Sequence, residues 1–336
     1  MARTIRILSI DGGGIRGLIP ATVIERLEAR LDRPVSECFH LIAGTSTGGI
    51  LAAGLSAPGN GGGPRMSGAD LVRLYFDEGR RIFHRSLWQG FSSLGGTTDE
   101  KYAADGLEAV LEERLGDLDL SRALRDLLVT SYDIEHRRPH FFKSWKARGE
   151  RLREGETAAS RDYRLRDVCR ATSAAPTYFE PARIRDHAGG VHALVDGGVF
   201  ANNPAMCAMA SARVLYPDAT RFLLVSLGTG ELERPIPYED ARDWGLLGWA
   251  RPLLNVIFDG VSDTVDYQLR QELESDYFRF QVDLRPRPGE EDAPNDDMDD
   301  ASPDNLRRLR GRAEEMLEDQ AADFTRLIRR LRRATA

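Results

Sequence analysis

The sequence predicts an α/β fold with a mostly parallel central sheet. Short apolar runs at residues 5–10 and 39–43 read as strands, each ends in a glycine-rich turn, and each turn opens a helical pattern. Repeated strand, glycine turn and helix is the rhythm of parallel strands joined by helical crossovers. The chain has 336 residues, enough to bury a sizeable core.

Ile5-Arg6-Ile7-Leu8-Ser9-Ile10 alternates and is rich in β-branched side chains, as a first strand should be. The loop Asp11-Gly12-Gly13-Gly14-Ile15-Arg16-Gly17 follows. Pro20 then opens a helix with Val23, Ile24, Leu27 and Leu31 on one face. Phe39–Ala43 is almost wholly apolar and reads as a central strand covered on both faces. The small residues Gly48, Gly49, Ala52, Ala53 and Gly54 then make a slim helix that packs closely under the sheet. Further strands are expected at 127–134, 140–145, 193–195, 222–227 and 278–284. Residues 59–68 read as a Gly/Pro-rich surface loop, and 69–115 as a helical insertion between core strands. The acidic, proline-rich stretch 285–302 reads as a mobile loop. Ser302-Pro303-Asp304 is a helix start, and one helix to about Arg333 carries Leu306, Leu309, Met316, Leu317, Phe324, Leu327, Ile328 and Leu331 on one side. One domain spans 1–336, with its motif-bearing core at about 5–230 and a C-terminal extension at 231–336 that ends in this amphipathic helix.

Net charge is −7, which argues against nucleic acid as a partner. The three cysteines, Cys38, Cys169 and Cys207, are widely spaced in apolar or helical context, which suits a reducing compartment rather than a disulfide or metal framework. The N-terminus runs straight into a strand without a signal peptide, and no apolar stretch is long enough to span a bilayer. The expectation is a soluble, cytoplasmic protein whose membrane contact is at most peripheral.

Three segments carry chemistry. Gly44-Thr45-Ser46-Thr47-Gly48 has the G-x-S-x-G form of a nucleophile elbow, a sharp strand-to-helix turn that exposes the serine. A serine there also sits at a helix N-terminus, where the dipole favours developing negative charge. Gly12, Gly13, Gly14 and Gly17 fit the loose G-x-G-x-x-G template, so a dinucleotide loop must be weighed. That reading wants an acid at the end of a second strand some twenty residues on. Asp32 and Glu37 lie near that distance, but no strand precedes either. The competing reading is an oxyanion hole made of backbone N–H groups. Asp196 ends the apolar run Leu194-Val195, and Gly197 and Gly198 beside it allow close approach of another loop. It is a candidate general base for Ser46, or else a turn aspartate making local backbone bonds. A histidine base stays open, because triads occur in several chain orders. Of His40, His84, His136, His140, His187 and His192, none follows Asp196.

These blocks together resemble the patatin-like phospholipase family. The match rests on Asp11–Gly17, Gly44-Thr45-Ser46-Thr47-Gly48-Gly49, Ala171–Phe179, Asp196–Pro204 and Leu227-Gly228-Thr229-Gly230. The resemblance implies a three-layer α/β/α fold and a Ser–Asp dyad, with Ser46 as nucleophile and Asp196 as general base. It implies an oxyanion hole at the N–H groups of Gly12, Gly13 and Gly14. Arg16 is then the loop's basic residue, either holding the loop or meeting a lipid phosphate. The implied reaction is hydrolysis of fatty-acyl esters of phospholipids or other acyl lipids, with no metal or cofactor.

A lipid hydrolase needs an acyl channel and a way onto a bilayer. Ser86-Leu87-Trp88-Gln89-Gly90-Phe91 and the stretch Trp244–Phe258, rich in Trp and Leu, are candidates for a lid or interfacial anchor, against ordinary core packing. The arginines 326, 329, 330, 332 and 333 either face anionic lipid or form a solvated face. Beside a constitutive acyl hydrolase stand two alternatives: a signal-gated phospholipase effector using the same dyad, and a non-catalytic module carrying lipid or nucleotide.

Overall fold

The computed structural model describes residues 3–83, 104–231, 236–249, 252–287, 290, 293–295 and 297–333. An eight-stranded sheet forms its centre: β1 (Thr4–Ile10), β2 (Leu41–Thr45), β3 (Asp126–Asp133), β4 (Arg138–Lys143), β5 (Ala182–Arg185), β6 (Val191–Asp196), β7 (Arg221–Leu227) and β8 (Tyr277–Phe280). The order is β5-β6-β3-β2-β1-β7-β8, with β4 also on β3. The pairs β1–β2, β1–β7, β2–β3 and β7–β8 are parallel; β3–β4, β3–β6 and β5–β6 are antiparallel.

Strand periodicity of two divides the core into two layers. Leu8 and Ile10 of β1, Ile42 of β2 and Val129 of β3 face one helical layer; Ile5 and Ile7, Leu41 and Ala43, and Leu128 face the other. The first layer holds the helices Leu18–Leu31, Thr47–Ser56, Gly68–Ile82, Asp105–Leu115 and Leu165–Thr172 with the two C-terminal helices. The second is made by Ala205–Leu215 and part of Pro252–Leu273. This is the expected three-layer α/β/α arrangement. Ser67 and Asp70 close a reciprocal capping box at the start of Gly68–Ile82, which fixes where that helix begins.

Four local readings change. The first helix starts at Leu18, two residues before Pro20. The four-residue β5, Ala-Arg-Ile-Arg, was too short to stand out, although its buried–exposed alternation is regular. The last apolar stripe is split between two helices, Pro303–Asp319 and Ala321–Arg333. Gln320 leaves helical geometry between them (φ −100°, ψ 25°), and both helices bury their stripes in the same core. The described residues of 285–302 are packed rather than loose: Ala301 is buried, and Asn295 N–H donates to Asn305 Oδ1 at 2.8 Å. Of the expected insertion, Gly68–Ile82 and Asp105–Leu115 pack on the core, whereas Ser86–Phe91 lies outside the described residues.

Leu327 on the last helix is fully buried in the common core. Leu327→Ala should therefore cost about 2–5 kcal/mol in urea unfolding. A loss below about 1 kcal/mol would show that the last helix is a peripheral addition.

Candidate active site

The carboxyl ends of β1, β2, β6 and β7 converge on one cleft. Thr45, the last residue of β2, pairs with Thr130 of β3, and Asp196, the last residue of β6, pairs with the next residue, Ser131. β2 runs parallel to β3 and β6 antiparallel, so two strands arriving from opposite directions end side by side. That register brings Ser46 and Asp196 together, 150 residues apart in sequence.

Ser46 occupies the turn between β2 and the helix Thr47–Ser56 with φ 54° and ψ −127°, backbone geometry that a side chain rarely adopts. Its neighbours hold it there. Ser46 N–H donates to Thr172 Oγ1 at 2.8 Å, and Thr172 donates on to the Thr130 carbonyl at 2.6 Å. Thr45 Oγ1 reaches the Ala201 carbonyl at 2.6 Å and shares a 2.6 Å bond with Thr130 Oγ1. Gly48 permits the tightness of the turn: a Cβ there would stand 2.2 Å from the Ile10 carbonyl oxygen.

The Ser46 side chain faces the Asp196 carboxylate closely enough to favour its ionised form. Gly198 N–H donates to Asp196 Oδ1 at 2.7 Å. Asp196 is 2% exposed, and burial raises its pKa to about 7 against the opposing pull of those two neighbours.

The glycine loop leaves β1 beside this pair. Asp11 N–H donates to the Leu227 carbonyl at 3.0 Å, tying the loop to the end of β7. The Asp11 carboxylate meets Arg279 at 2.7 Å, both nearly fully buried, and Arg279 also donates to Ser226 Oγ at 2.8 Å. Desolvation outweighs the attraction of Arg279 and raises the Asp11 pKa to about 6.

Of the three expected loop donors, Gly12 is already engaged: its N–H donates to the Asn202 carbonyl at 3.0 Å. Its own carbonyl accepts from Thr229 Oγ1 at 2.7 Å, within the Leu227–Gly230 segment. Gly13 and Gly14 have no recorded acceptor for their N–H groups among the described residues, and both line the cleft. Gly14 has φ 58°, and a Cβ there would meet the Met298 carbonyl oxygen at 2.1 Å. That same carbonyl accepts Ile15 N–H at 2.8 Å. Arg16 turns back on the loop, with N–H at 3.2 Å and Nε at 3.4 Å from the Gly13 carbonyl, and is not among the cleft-lining residues. Of its two expected roles, loop support has a contact. Gly17 ends the short 3₁₀ turn Gly14–Gly17, Gly44 lies within β2, and Gly197 with Gly198 forms the turn after Asp196.

The cleft encloses about 750 Å³ of non-atom space, part of it open to solvent. Ser46, Asp196, Gly13 and Gly14 lie on its wall, and the rest is mainly apolar, including Ile50, Leu74, Phe83, Leu107, Phe179 and Phe258. Asp196 is its one carboxylate, and no Lys, Arg or His lines it among the described residues. His40 sits at the opposite end of β2, where Nδ1 accepts Arg6 N–H at 3.0 Å and burial lowers its pKa to about 4. His192 lies four residues before Asp196 and contacts Asp186 at 3.1 Å. His84 is outside the described residues. Asp32 and Glu37 lie in the helical stretch between β1 and β2, at no strand's end, so neither fits the acid of a dinucleotide site; the second strand ends at Thr45, just before Ser46.

Two contributors escaped sequence reading. Thr172 lay inside a recognised motif without a role, and Met298 lay in a stretch whose composition suggested only a loop.

Fold and cleft thus define a three-layer α/β/α protein with a strand-to-helix turn serine beside a buried aspartate. The family model "Patatin-like phospholipase" matches residues 8–209. Patatin-like protein 1 of Oryza sativa subsp. indica is 34% identical over 95% of this chain and 82% of its own length. Patatin-like protein 4 of Arabidopsis thaliana is 31% identical over 94% of this chain and 83% of its own. Among solved structures, VipD from Legionella pneumophila aligns at TM-score 0.40 and 12% identity over 95% of this chain and 67% of that one. The chain belongs to the patatin-like phospholipase family.

Removing one partner of the buried Asp11–Arg279 pair leaves an uncompensated charge under the glycine loop. Arg279→Met should cost about 3–5 kcal/mol at pH 8 in denaturant unfolding. Arg81→Ala, which breaks an exposed pair with Glu113, should cost below about 1 kcal/mol. Equal losses would mean that the Asp11–Arg279 pair has no special structural weight.

Proposed function

We propose that the protein is a lipid acyl hydrolase that cleaves fatty-acyl esters of phospholipids or related lipids through a Ser46–Asp196 dyad. The observation that carries this reading is the placing of Ser46 and Asp196 together on the wall of an apolar cleft that no histidine lines among the described residues. In this mechanism Asp196 takes the hydroxyl proton as Ser46 Oγ attacks the acyl carbonyl. Gly13 and Gly14 N–H groups hold the oxyanion, and Gly12 anchors the loop through Asn202 and Thr229. The leaving alcohol takes the proton from Asp196, leaving an acyl-serine. Asp196 then draws a proton from water, which attacks the acyl-serine; the C–Oγ bond breaks, the fatty acid leaves, and Asp196 returns the proton to Ser46 Oγ.

An ordinary aspartate is a weak base for a serine hydroxyl. Burial brings Asp196 to about 7, where proton affinity and ionised fraction are balanced at neutral pH. The cleft's lining suits an acyl chain and, among the described residues, offers a phosphate no cation, so the head group is placed outside it. Leu253 (46% exposed) and Val256 (47% exposed) present apolar surface on the helix that also carries Phe258 into the cleft. They support peripheral docking of this face on a lipid surface. Among the described residues no helix is long and apolar enough to cross a membrane. A non-catalytic reading has a precedent in a relative, Probable inactive patatin-3-Kuras 1 of Solanum tuberosum, 34% identical over 84% of this chain. Here Ser46 and Asp196 are both present and line the same cleft.

Ser46→Ala and Asp196→Asn should each lower fatty-acid release from phospholipid vesicles, and hydrolysis of a soluble p-nitrophenyl ester, by at least about 10³-fold. Retained activity in either folded variant would overturn the dyad. Wild-type kcat/KM should rise with pH through about 7 and then level, because the ionised form of Asp196 is the base.

The stability sign is opposite. The folded-state pKa is raised, so the stabilising contribution of protonated Asp196 is present at low pH and lost as pH rises through about 7. Asp196→Asn should therefore raise Tm at pH 8 by several degrees, raise it less at pH 5, and leave it nearly unchanged only near pH 3, below the unfolded-state pKa of 3.8. A lower Tm at pH 8 would place the burial cost elsewhere.

A further inference from the structure

A second polar cluster lies at the other end of β6, outside the cleft and independent of the proposed hydrolysis. Asp133 ends β3, His140 lies in β4 and His192 lies in β6. One ligand-capable atom from each falls within 4.8 Å of the others. Asp133 is fully buried, His140 is 6% exposed, and the His192 side chain is 18% exposed, which leaves one side of the cluster reachable from solvent.

The hydrogen bonds leave two nitrogens bare. His140 Nε2 and His192 Nδ1 are buried without a partner among the described residues. Leaving such an atom unsatisfied is costly, and here two belong to one three-residue cluster. His192 is oriented by Asp186, whose Oδ2 lies 3.1 Å from Nε2, with the Tyr163 hydroxyl at 3.3 Å from the same nitrogen. A carboxylate only accepts, so Nε2 carries the proton and Nδ1 of the neutral ring keeps its lone pair. Asp186 is itself fixed by N–H bonds from Ala188 and Gly190 at 2.9 and 2.8 Å. A carboxylate holding the far nitrogen of a histidine is the outer-shell arrangement typical of metal-ligating imidazoles.

Asp133 is similarly supported. Its Oδ1 accepts Glu135 and His136 N–H groups at 3.1 and 2.9 Å, and its Oδ2 lies 2.9 Å from His136 Nδ1. Oδ2 stands 4.0 Å from His192 Nδ1. Two ligands at tetrahedral zinc distances stand about 3.4 Å apart, so this pair closes on an ion by about 0.6 Å and no pair by more than about 1.4 Å. Arg161, the nearby cation, is itself paired with Glu156 at 2.5 Å.

We propose that Asp133, His140 and His192 form a binding site for a divalent first-row transition metal, with solvent completing its coordination. Two imidazoles and one carboxylate select zinc and its neighbours over calcium or magnesium. The ion would staple β3, β4 and β6 together about 13 Å along β6 from Asp196, at the usual rise per residue. Its role is structural, holding the strand that presents Asp196, and the hydrolytic steps do not pass through it.

The test uses the full chain, stripped with a chelator and dialysed. Zinc titrated by calorimetry should bind at one equivalent and raise Tm, because it binds the folded state alone. Cobalt(II) should give the visible bands of a low-coordinate nitrogen–oxygen site without thiolate charge transfer. His140→Phe, which keeps a ring against Phe142 and Tyr163, should abolish saturable binding, and Asp186→Asn should weaken it about 10–100-fold. His187→Ala, in the separate Asp119–Asp162–His187 group, should change nothing. Absence of saturable zinc binding, binding undiminished in His140→Phe, or binding lost in His187→Ala would overturn the proposal. Should His140→Phe fail to fold, wild-type protein with cobalt must show an exchangeable, hyperfine-shifted imidazole proton from His192 Nε2–H. Its absence would equally refute the site.

Discussion

The structure depends on how β3 is shared. Its residues Asp126–Thr130 pair with β2, and Ser131–Asp133 pair with β6. One strand therefore takes a parallel neighbour and then an antiparallel one, and the change falls between Thr130 and Ser131. A parallel sheet alone sets the ends of its strands in a row, facing the same way. An antiparallel neighbour entering from the other side brings a strand end to meet them. Thr130 then bonds to both sides of the junction: its hydroxyl to Thr45, and its carbonyl to Thr172, which holds the Ser46 backbone. A register slip of one residue would turn Asp196 to the opposite face of the sheet.

That junction is tight and dry, and dryness has two effects. It places a carboxylate where no cation compensates it, which destabilises the ionised form. The same penalty lifts Asp196 to about 7, the range that the proposed role of base requires. Asp11 shows the contrast. It is as deeply buried, but Arg279 lies against it, and its pKa rises less, to about 6. One aspartate is held as an ion to anchor a loop; the other is left without a counter-charge beside the serine. The difference lies in the partner rather than in the burial.

Sequence reading reached the parts of this arrangement that are local. Strand β1, the elbow at Ser46, the end of β6 at Asp196 and the two-sided burial of β2 each follow from a run of adjacent residues. What it missed depends on distant partners. Gly12 carries no local sign that Asn202 will occupy its N–H. Met298 is one residue in an acidic, proline-rich stretch, and its contribution is a backbone carbonyl, which any residue supplies. The break at Gln320 is equally silent, because Leu317 and Phe324 stand seven apart and continue one helical stripe on paper. β5 escaped for a different reason: four residues are too few for alternation to stand out from chance.

The histidines make the same point in the other direction. A triad reading looks for a ring beside a serine, and sequence alone could not dismiss His40 or His192. The strand directions settle their places. His40 precedes β2 and His192 lies near the start of β6, whereas Ser46 and Asp196 follow or occupy the ends of those same strands. Each histidine is thus a strand's length from the cleft. His192 instead turns toward His140 and Asp133, because β3 and β4 form a hairpin whose turn lies at that end of the sheet. The shared strand that brings Ser46 to Asp196 also brings Asp133 to His192, a few residues further along. One register accordingly governs both clusters. It delivers a hydroxyl to a bare carboxylate at one point of β3 and two bare imidazole nitrogens to a carboxylate at the next.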